Sequence, residues 1–479
     1  MALKEKTING IIWGFLGNFV NLGINFAIGI ILARLLSPKE FGLIGMVTIF
    51  ITISEMFINS GFSQSLTRKN DCTEIDYSTV FNFNILISTL FYSALFFAAP
   101  FIAKFYGEES ITNLIRVLSL SLIINSLTLI QRVIITKKLN FKLLNNTLVF
   151  SNIISGTISI ILAYKGFGVW SLVFKNIIRD IISSSIFWII NKWVPIFTIN
   201  KKSFKELFSF GYKLLLSGII GSIINNIQYI LIGKYFSANE LGFYTRAELF
   251  KNLPSQNIES VISSVSYPAL AKIQDDSEKL TLGFKKLFLN AVFLVSFFMV
   301  GTAVIAEPLI IILVGEKWRQ SIVYLQMLSV VGFMYPLLSI NINLANIVGR
   351  SDLYLKYQFI SQIISLIVII PASIWGIKSL IIGIIINSCV SYVFFANVAN
   401  KFINYKTLHQ IKDTLIITFY MIISWAIPAS LYLVFTDYNI LFLAVQIVLA
   451  MITLVLISEI FKQKEYLEIK KIILNKINR

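Results

Sequence analysis

The sequence predicts an all-α, polytopic membrane protein: fourteen transmembrane helices, in two parallel six-helix lobes around a central cavity plus two C-terminal helices. Three observations lead to this prediction: the composition, a series of charge-poor stretches and an alternation of basic loops. Of the 479 residues, 56% are hydrophobic and 14% charged, against about 45–50% and about 25% in soluble proteins. We therefore do not expect a soluble globular protein.

The fourteen predicted helices follow from the requirement of about 20 apolar residues per membrane crossing. Ten stretches meet it without Asp, Glu, Lys or Arg, namely residues 7–33, 77–103, 143–164, 214–233, 287–306, 320–349, 357–377, 379–400, 414–436 and 438–458. Four more have spanning length but carry charges, namely residues 41–66, 111–135, 166–190 and 241–271.

The loops between these helices predict the orientation. With the N-terminus in the cytoplasm, the inner segments contain 27 Lys and Arg residues and the outer loops contain 8. Cytoplasmic loops normally collect the basic residues, so both termini are predicted to be cytoplasmic. Because the basic residues are spread over eight inner segments, the net charge of +17 does not predict a nucleic-acid partner.

The segments outside the helices argue against an enzyme. The longest are residues 191–206, residues 272–286 and the basic tail 459–479, and none is long enough to form a core. A Walker-type phosphate loop is absent from the sequence. His409 is the only histidine, so we predict no histidine-based catalytic triad, no metal site and no cofactor.

An internal repeat predicts the two lobes. Residues 36–42 and 236–242 share a pattern at a spacing of 200, and weaker matches follow in the same order at spacings of 204 and 208. The proposed lobes, residues 1–195 and 200–405, contain six helices each, so both enter the membrane from the same side as parallel repeats. Residues 406–479 form helices 13 and 14 and the cytoplasmic tail.

Polar stripes on the second helix of each repeat predict where the lobes turn away from lipid, because charges at bilayer depth usually face a bundle interior or a cavity. The stripe on helix eight consists of Glu248, Lys251, Asn252, Ser255 and Glu259. The corresponding stripe on helix two, 200 positions earlier, consists of Thr48, Thr52, Glu55 and Asn59.

Lys175 and Arg179 lie four residues apart, on one face of helix six and near mid-membrane. Pairing with Asp180 or Glu55 is the structural alternative to a binding role for them. Arg116 and Lys213 lie nearer to helix ends, where extension to the headgroups is the alternative.

The charges inside the predicted helices have an excess of +2, which suits an anionic headgroup. Six cations oppose four carboxylates, namely Arg116, Lys175, Arg179, Lys213, Arg246 and Lys251 against Glu55, Asp180, Glu248 and Glu259.

Five blocks resemble the polysaccharide transporters of the multidrug/oligosaccharidyl-lipid/polysaccharide (MOP) flippase superfamily, and Wzx-type lipopolysaccharide and O-antigen flippases in particular. They are Ile230–Lys234, Leu241–Tyr244 with Ala247, Val265–Leu270, Gly315–Trp318 and Gly349–Asp352. Their order and spacing cover nearly the whole chain.

This resemblance implies two lobes that form a V-shaped cavity in the inner membrane. It implies alternating-access transport of an undecaprenyl diphosphate-linked oligosaccharide to the periplasmic leaflet, for surface polysaccharide biosynthesis. We expect a monomer, with the polysaccharide polymerase machinery as a candidate partner. Helix one has Asn18, Asn21 and Asn25 where the related lipid II flippases have arginines, and Gln228 and Tyr229 replace an Asp usual in similar sequences. Both departures argue against a peptidoglycan-precursor role.

The predicted site divides by charge. We assign the diphosphate to Lys175, Arg179, Arg246 and Lys251, with Arg116 and Lys213 as further cations of the cavity. We assign sugar hydroxyls or a coupling ion, H⁺ or Na⁺, to Glu55, Glu248 and Glu259, with Asn252 beside them. Two alternatives stay open: a multidrug exporter for cations, which needs an acidic cavity, and a membrane polymerase or acyltransferase, which needs a larger outer loop.

Overall fold

The structure is a computed structural model that describes residues 2–59, 61–433 and 438–477. Throughout these ranges the regular elements are helices, and no strand occurs in them. Contacts divide the chain into two compact units, residues 1–242 and 243–479, which we call unit 1 and unit 2. The predicted lobe boundaries at 195–200 and 405–406 remain predictions.

Unit 1 contains ten helices in its described part and the first residues of the eleventh. They are α1 (Ala2–Leu35), α2 (Pro38–Asn59), α3 (Phe62–Arg68), α4 (Glu74–Tyr106), α5 (Ile111–Leu118), α6 (Leu120–Lys137), α7 (Phe141–Tyr164), α8 (Val169–Asn191), α9 (Lys201–Asn225) and α10 (Ile227–Tyr235).

Unit 2 contains most of α11 and all the helices after it in the described chain. They are α11 (Ala238–Ala271), α12 (Ser277–Val304), α13 (Ala306–Leu313), α14 (Gln320–Ile347), α15 (Ser351–Ala372), α16 (Ile377–Ala399), α17 (Thr407–Ser430), α18 (Ile440–Ile460) and α19 (Lys464–Ile477). Three short 3-10 turns lie at residues 316–318, 373–375 and 431–433.

Eleven of the described helical segments are long and apolar enough to cross a membrane. The other three predicted spans are helical too, as α8, α9 with α10, and α11. α8 carries three charged residues near its middle, and α11 carries five, including Glu240 in its first turn. Asn226 separates α9 from α10. The total of fourteen crossings therefore remains a prediction.

Two predicted loops are shorter in the structure, because polar side chains cap the starts of the helices that follow them. α9 begins at Lys201 and α12 at Ser277, so the non-helical segments are shorter than the predicted 191–206 and 272–286. The side chain of Asn200 accepts hydrogen bonds from the backbone N–H groups of Lys202 and Ser203, and that of Asp276 from the N–H of Lys279. Such caps satisfy N–H groups that have no partner within the helix, which extends both helices into charged sequence.

The two segments matched in the predicted repeat touch each other within unit 1. A Cβ atom at Gly42 would lie 1.7 Å from the carbonyl oxygen of Ala238, and one at Gly242 would lie 1.9 Å from that of Pro38. The contact is reciprocal, since residue 42 meets 238 and residue 242 meets 38. Such an exchange of equivalent partners is the signature of a local two-fold relation.

Candidate functional site

A cavity of about 860 Å³ lies within unit 1, a volume typical of ligand pockets. Side chains of α1, α2, α3, α6, α7 and α8 line it. The lining residues are Asn21, Asn25, Glu55, Ile58, Asn59, Ser63, Gln64, Thr67, Arg68, Asn125, Leu129, Arg132, Val133, Thr136, Leu148, Asn152, Arg179 and Asp180.

A break between α2 and α3 shapes one side of the cavity. Gly61 has φ 68°, in the left-handed region that glycine adopts without strain, and the chain restarts there as the short helix α3. Phe62 and Leu66 are fully buried in an aromatic core with Phe81 and Trp193. Burial of these two side chains anchors one face of α3. Residues of α3 that line the cavity are Ser63, Gln64, Thr67 and Arg68.

α6 presents one face to the cavity. Its lining residues are at positions 125, 129, 132, 133 and 136. Except for the adjacent pair 132 and 133, they are spaced by three or four residues, as residues on one face of a helix are. Asn125 donates a hydrogen bond to Glu55 Oε1 at 3.0 Å, which holds the carboxylate of α2 against α6.

Three arginines and two carboxylates set the charge of the cavity. Arg179 donates from Nε and from a terminal nitrogen to the same oxygen of Asp180, at 3.0 and 2.8 Å. Asp180 is only 3% exposed. The buried Nε of Arg132 has no hydrogen-bond partner among the described residues. With Arg68 and Glu55 also in the lining, three positive charges oppose two negative ones, a balance of +1.

The side of the cavity formed by α1 and α7 is polar without charge. Its lining residues are Asn21, Asn25, Leu148 and Asn152. Asn152 donates to Asn21 Oδ1 at 2.5 Å, and Asn25 donates to the same oxygen at 3.3 Å. We call Asn21, Asn25 and Asn152 the amide cluster.

Chemically, this arrangement can bind an anion beside a neutral polar group. Guanidinium groups form strong, directional hydrogen bonds to phosphate and carboxylate oxygens, and carboxamides offer both donors and acceptors. Across the described residues, no group of three or more His, Cys, Asp and Glu side chains could hold a metal ion.

Of the residues predicted from sequence, Glu55 and Arg179 line the cavity, and the pairing of Arg179 with Asp180 is present. Lys175 lies one turn before Arg179 on α8 but not in the lining. Arg116 donates from Nε to the Phe96 carbonyl at 3.4 Å and lies over the Phe96 ring, and it is not among the cavity-lining residues. The side chain of Lys213 lies outside the described residues.

The other five predicted site residues, Arg246, Glu248, Lys251, Asn252 and Glu259, lie on α11 in unit 2. Arg246 is 4% exposed and stacks over Trp318, with its guanidinium carbon 4.9 Å from the ring centroid. Lys251 Nζ lies 3.8 Å from Glu248 Oε1.

Glu259 Oε1 accepts hydrogen bonds from Ser263 and Ser339, each at 2.7 Å. This oxygen of the Glu259 carboxylate therefore has its hydrogen-bond donors within unit 2.

Sequence reasoning missed Arg132, Arg68 and the amide cluster as cavity residues. Arg132 lies near the end of the predicted helix 111–135 and is not among the six interior cations predicted from sequence, whereas α6 continues to Lys137. The asparagines carry no charge, so a search for intramembrane charges passes over them. The available signal was that Asn21 and Asn25 lie four residues apart, and so on one face of helix one.

Comparison with known families gives one family match, to the family described as "Polysaccharide biosynthesis protein", over residues 31–323. The chain is similar to the teichuronic acid biosynthesis protein TuaB of Bacillus subtilis (strain 168), with 25% identity over 355 residues, 74% of this chain and 73% of TuaB. It is also similar to the lipopolysaccharide biosynthesis protein WzxC of Escherichia coli (strain K12), with 24% identity over 404 residues, 82% of this chain and 81% of WzxC.

Solved structures with the same fold include a flippase and a drug transporter. The lipid II flippase MurJ in an inward closed conformation aligns with a TM-score of 0.75 at 18% identity, over 96% of this chain and 99% of MurJ. An inward-facing multidrug resistance transporter of the MATE family, within the MOP superfamily, aligns with a TM-score of 0.61 at 16% identity, over 83% of this chain and 94% of that one. The fold is thus one that flippases and drug transporters share.

Proposed function

The chain belongs to the polysaccharide biosynthesis protein family, and from this premise we propose that it flips an undecaprenyl diphosphate-linked oligosaccharide repeat unit across the cytoplasmic membrane by alternating access. The product would serve surface polysaccharide biosynthesis. The observation that carries the proposal is the cavity of unit 1, in which Arg68, Arg132 and Arg179 outnumber Glu55 and Asp180.

In this mechanism the three arginines bind the diphosphate. Arg132 has an unsatisfied Nε, and Arg179 is held in place by Asp180. Charge-assisted hydrogen bonds of this kind are about twice as strong as neutral ones. The cavity's carboxamides and Glu55 are suited to sugar hydroxyls, which both donate and accept.

The sign of the cavity favours an anionic substrate over a cationic drug. A cation exporter would be expected to gather an excess of carboxylates, whereas this cavity has one more arginine than carboxylates. The fold shared with a flippase and a drug transporter supports transport rather than polymerisation or acyl transfer.

The remaining elements of the proposal concern the setting. We place both termini in the cytoplasm, because the inner segments hold 27 basic residues and the outer loops 8. The protein would act as a monomer beside the polysaccharide polymerase machinery, coupled to H⁺ or Na⁺. The α11 residues Arg246, Glu248, Lys251, Asn252 and Glu259, together with Arg116 and Lys213, remain further candidates for substrate contact. Lys175 lies outside the cavity lining, and its own variant tests whether it contacts substrate.

The decisive experiment replaces two of the cavity's three arginines together. In a deletion strain complemented with the Arg132→Gln/Arg179→Gln variant, we expect cell-surface polysaccharide to fall about ten-fold or more, because each lost charge-assisted bond weakens binding by about 1.5–3 kcal/mol. Membrane insertion, measured by immunoblot of the membrane fraction, should be unchanged.

Lys175→Gln is the matched control, since Lys175 shares α8 with Arg179 but does not line the cavity. Polysaccharide at the wild-type level in the double arginine variant would overturn the assignment of this cavity. If polysaccharide is lost in Lys175→Gln but not in the double arginine variant, the anion site is instead formed by Lys175 and the other cations predicted from sequence.

A further inference from the structure

We propose that the amide cluster is the subsite that recognises the sugar next to the diphosphate, so that Asn152 helps to determine which glycan is carried. This inference rests on the proposed function, because it assumes a lipid-linked diphosphate in the cavity. It adds a specificity determinant on α1 and α7, away from the arginines of α3, α6 and α8.

The close packing of α1 and α7 positions this cluster. A Cβ atom at Gly17 would lie 2.4 Å from Asn145 Cβ, and one at Gly156 would lie 2.1 Å from Ile28 Cδ1. The two helices therefore meet tightly on both sides of Asn152. Asn145, Asn152 and Gly156 are spaced seven and four residues apart, so they occupy one face of α7, directed at α1.

Hydrogen bonding within the cluster leaves one acceptor unmet. Asn21 Oδ1 accepts from both Asn152 and Asn25. Asn152 is 3% exposed, and its buried Oδ1 has no hydrogen-bond partner in the part of the chain that the structure describes. A buried acceptor without a donor is destabilising, so an O–H or N–H group from a ligand would complete the site.

The charge distribution selects the part of the ligand that meets this cluster. The cavity-lining residues of α1 and α7 include no charged side chain, whereas those of α3, α6 and α8 include all three arginines. A diphosphate gains most beside the guanidinium groups. The neutral, hydroxyl-rich sugar attached to it then meets the carboxamides, through either a hydroxyl or an acetamido N–H.

The test measures the affinity of the purified full chain for three lipids by native mass spectrometry: undecaprenyl diphosphate, and the same lipid carrying glucose or N-acetylglucosamine. We expect wild-type protein to bind a glycosylated form more tightly than the bare diphosphate. Asn152→Leu should reduce that preference about five-fold, the effect of one lost hydrogen bond, and leave the affinity for undecaprenyl diphosphate unchanged. Loss with both sugars indicates a hydroxyl contact, and loss with N-acetylglucosamine alone indicates an acetamido contact.

Asn145→Leu is the control, because Asn145 lies on the same face of α7 and donates to the Trp13 carbonyl at 3.0 Å, outside the cavity lining. The subsite is refuted if Asn152→Leu keeps the full sugar preference, or if Asn145→Leu loses as much of it. Wild-type protein that binds all three lipids equally also refutes the subsite but leaves the proposed function intact. Failure of wild-type protein to bind any of the three overturns the proposed function itself.

Discussion

The helices α2 and α11 carry matching polar stripes 200 residues apart, yet the two stripes have different surroundings. On α2, Glu55 and Asn59 line a cavity. On α11, the residue equivalent to Glu55 is Ser255, which is 1% exposed and hydrogen-bonded within unit 2. A polar stripe in a membrane helix thus marks a face turned away from lipid, but not whether that face meets water or protein.

The partner of Ser255 explains why a polar residue is needed there. Its hydroxyl donates to the Gly332 carbonyl of α14 at 2.7 Å. In a regular helix that carbonyl would accept from the N–H of residue 336, but residue 336 is Pro336, which has no N–H. Ser255 therefore replaces a missing backbone hydrogen bond, a role with no counterpart at Glu55.

Cysteine labelling provides the sharpest test of this contrast, with an expected all-or-none difference. In a background with Cys72 and Cys389 replaced by serine, Glu55→Cys should react with a membrane-impermeant methanethiosulfonate reagent in inside-out vesicles. Ser255→Cys should not, because the side chain is packed against α14. Labelling is read by the mass of the intact protein.

Denaturation in detergent supplies the control, since both cysteines must react once the chain is unfolded. Rapid labelling of Ser255→Cys in the folded protein would show that the α11 stripe also faces water, and the contrast between the two helices would disappear.

Near their first residues, in contrast, α2 and α11 are packed alike, and we expect equal sensitivity to substitution there. At Gly42 and Gly242 an added methyl group would meet a backbone carbonyl within 2 Å, and a backbone atom cannot move aside as a flexible side chain can. We expect Gly42→Ala and Gly242→Ala each to lower the free energy of unfolding by about 1–3 kcal/mol. The measurement is thermal denaturation in detergent.

Gly23→Ala is the matched control on α1, because nothing lies within 4 Å of its added Cβ and alanine favours a helix over glycine. A large loss in only one of the two glycine variants would argue that the reciprocal contact is not equally tight on both sides.

Much of the fold could be predicted from the sequence, since it depends on local composition. Charge-poor stretches mark the helices, and the resemblance of residues such as Ile230–Lys234 and Leu241–Tyr244 to polysaccharide transporters is confirmed by the family match over residues 31–323. Helix ends were less accurate, because caps such as Asn200 and Asp276 act through single hydrogen bonds.

The site could be predicted only in part, because lining a cavity depends on packing between helices distant in sequence. Glu55 and Arg179 stood out as charges in apolar surroundings. Arg132 and Asn152 did not, since their position depends on where α6 and α7 face relative to α1, α2 and α8. Hydropathy reports only how polar each residue is. The cavity, in contrast, is defined by which faces of the six lining helices meet.

The smallest predicted effect concerns the hydrogen bond that distinguishes α11. Ser255→Ala leaves the Gly332 carbonyl without a donor, and we expect a loss of about 1 kcal/mol in the free energy of unfolding. Pro336→Ala restores an N–H four residues after Gly332, so the double variant Ser255→Ala/Pro336→Ala should recover most of that loss. A double-mutant cycle by thermal denaturation measures the coupling between the two positions. Additive effects would mean that the hydroxyl does not stand in for the missing N–H, and the stripe of α11 would then need another explanation.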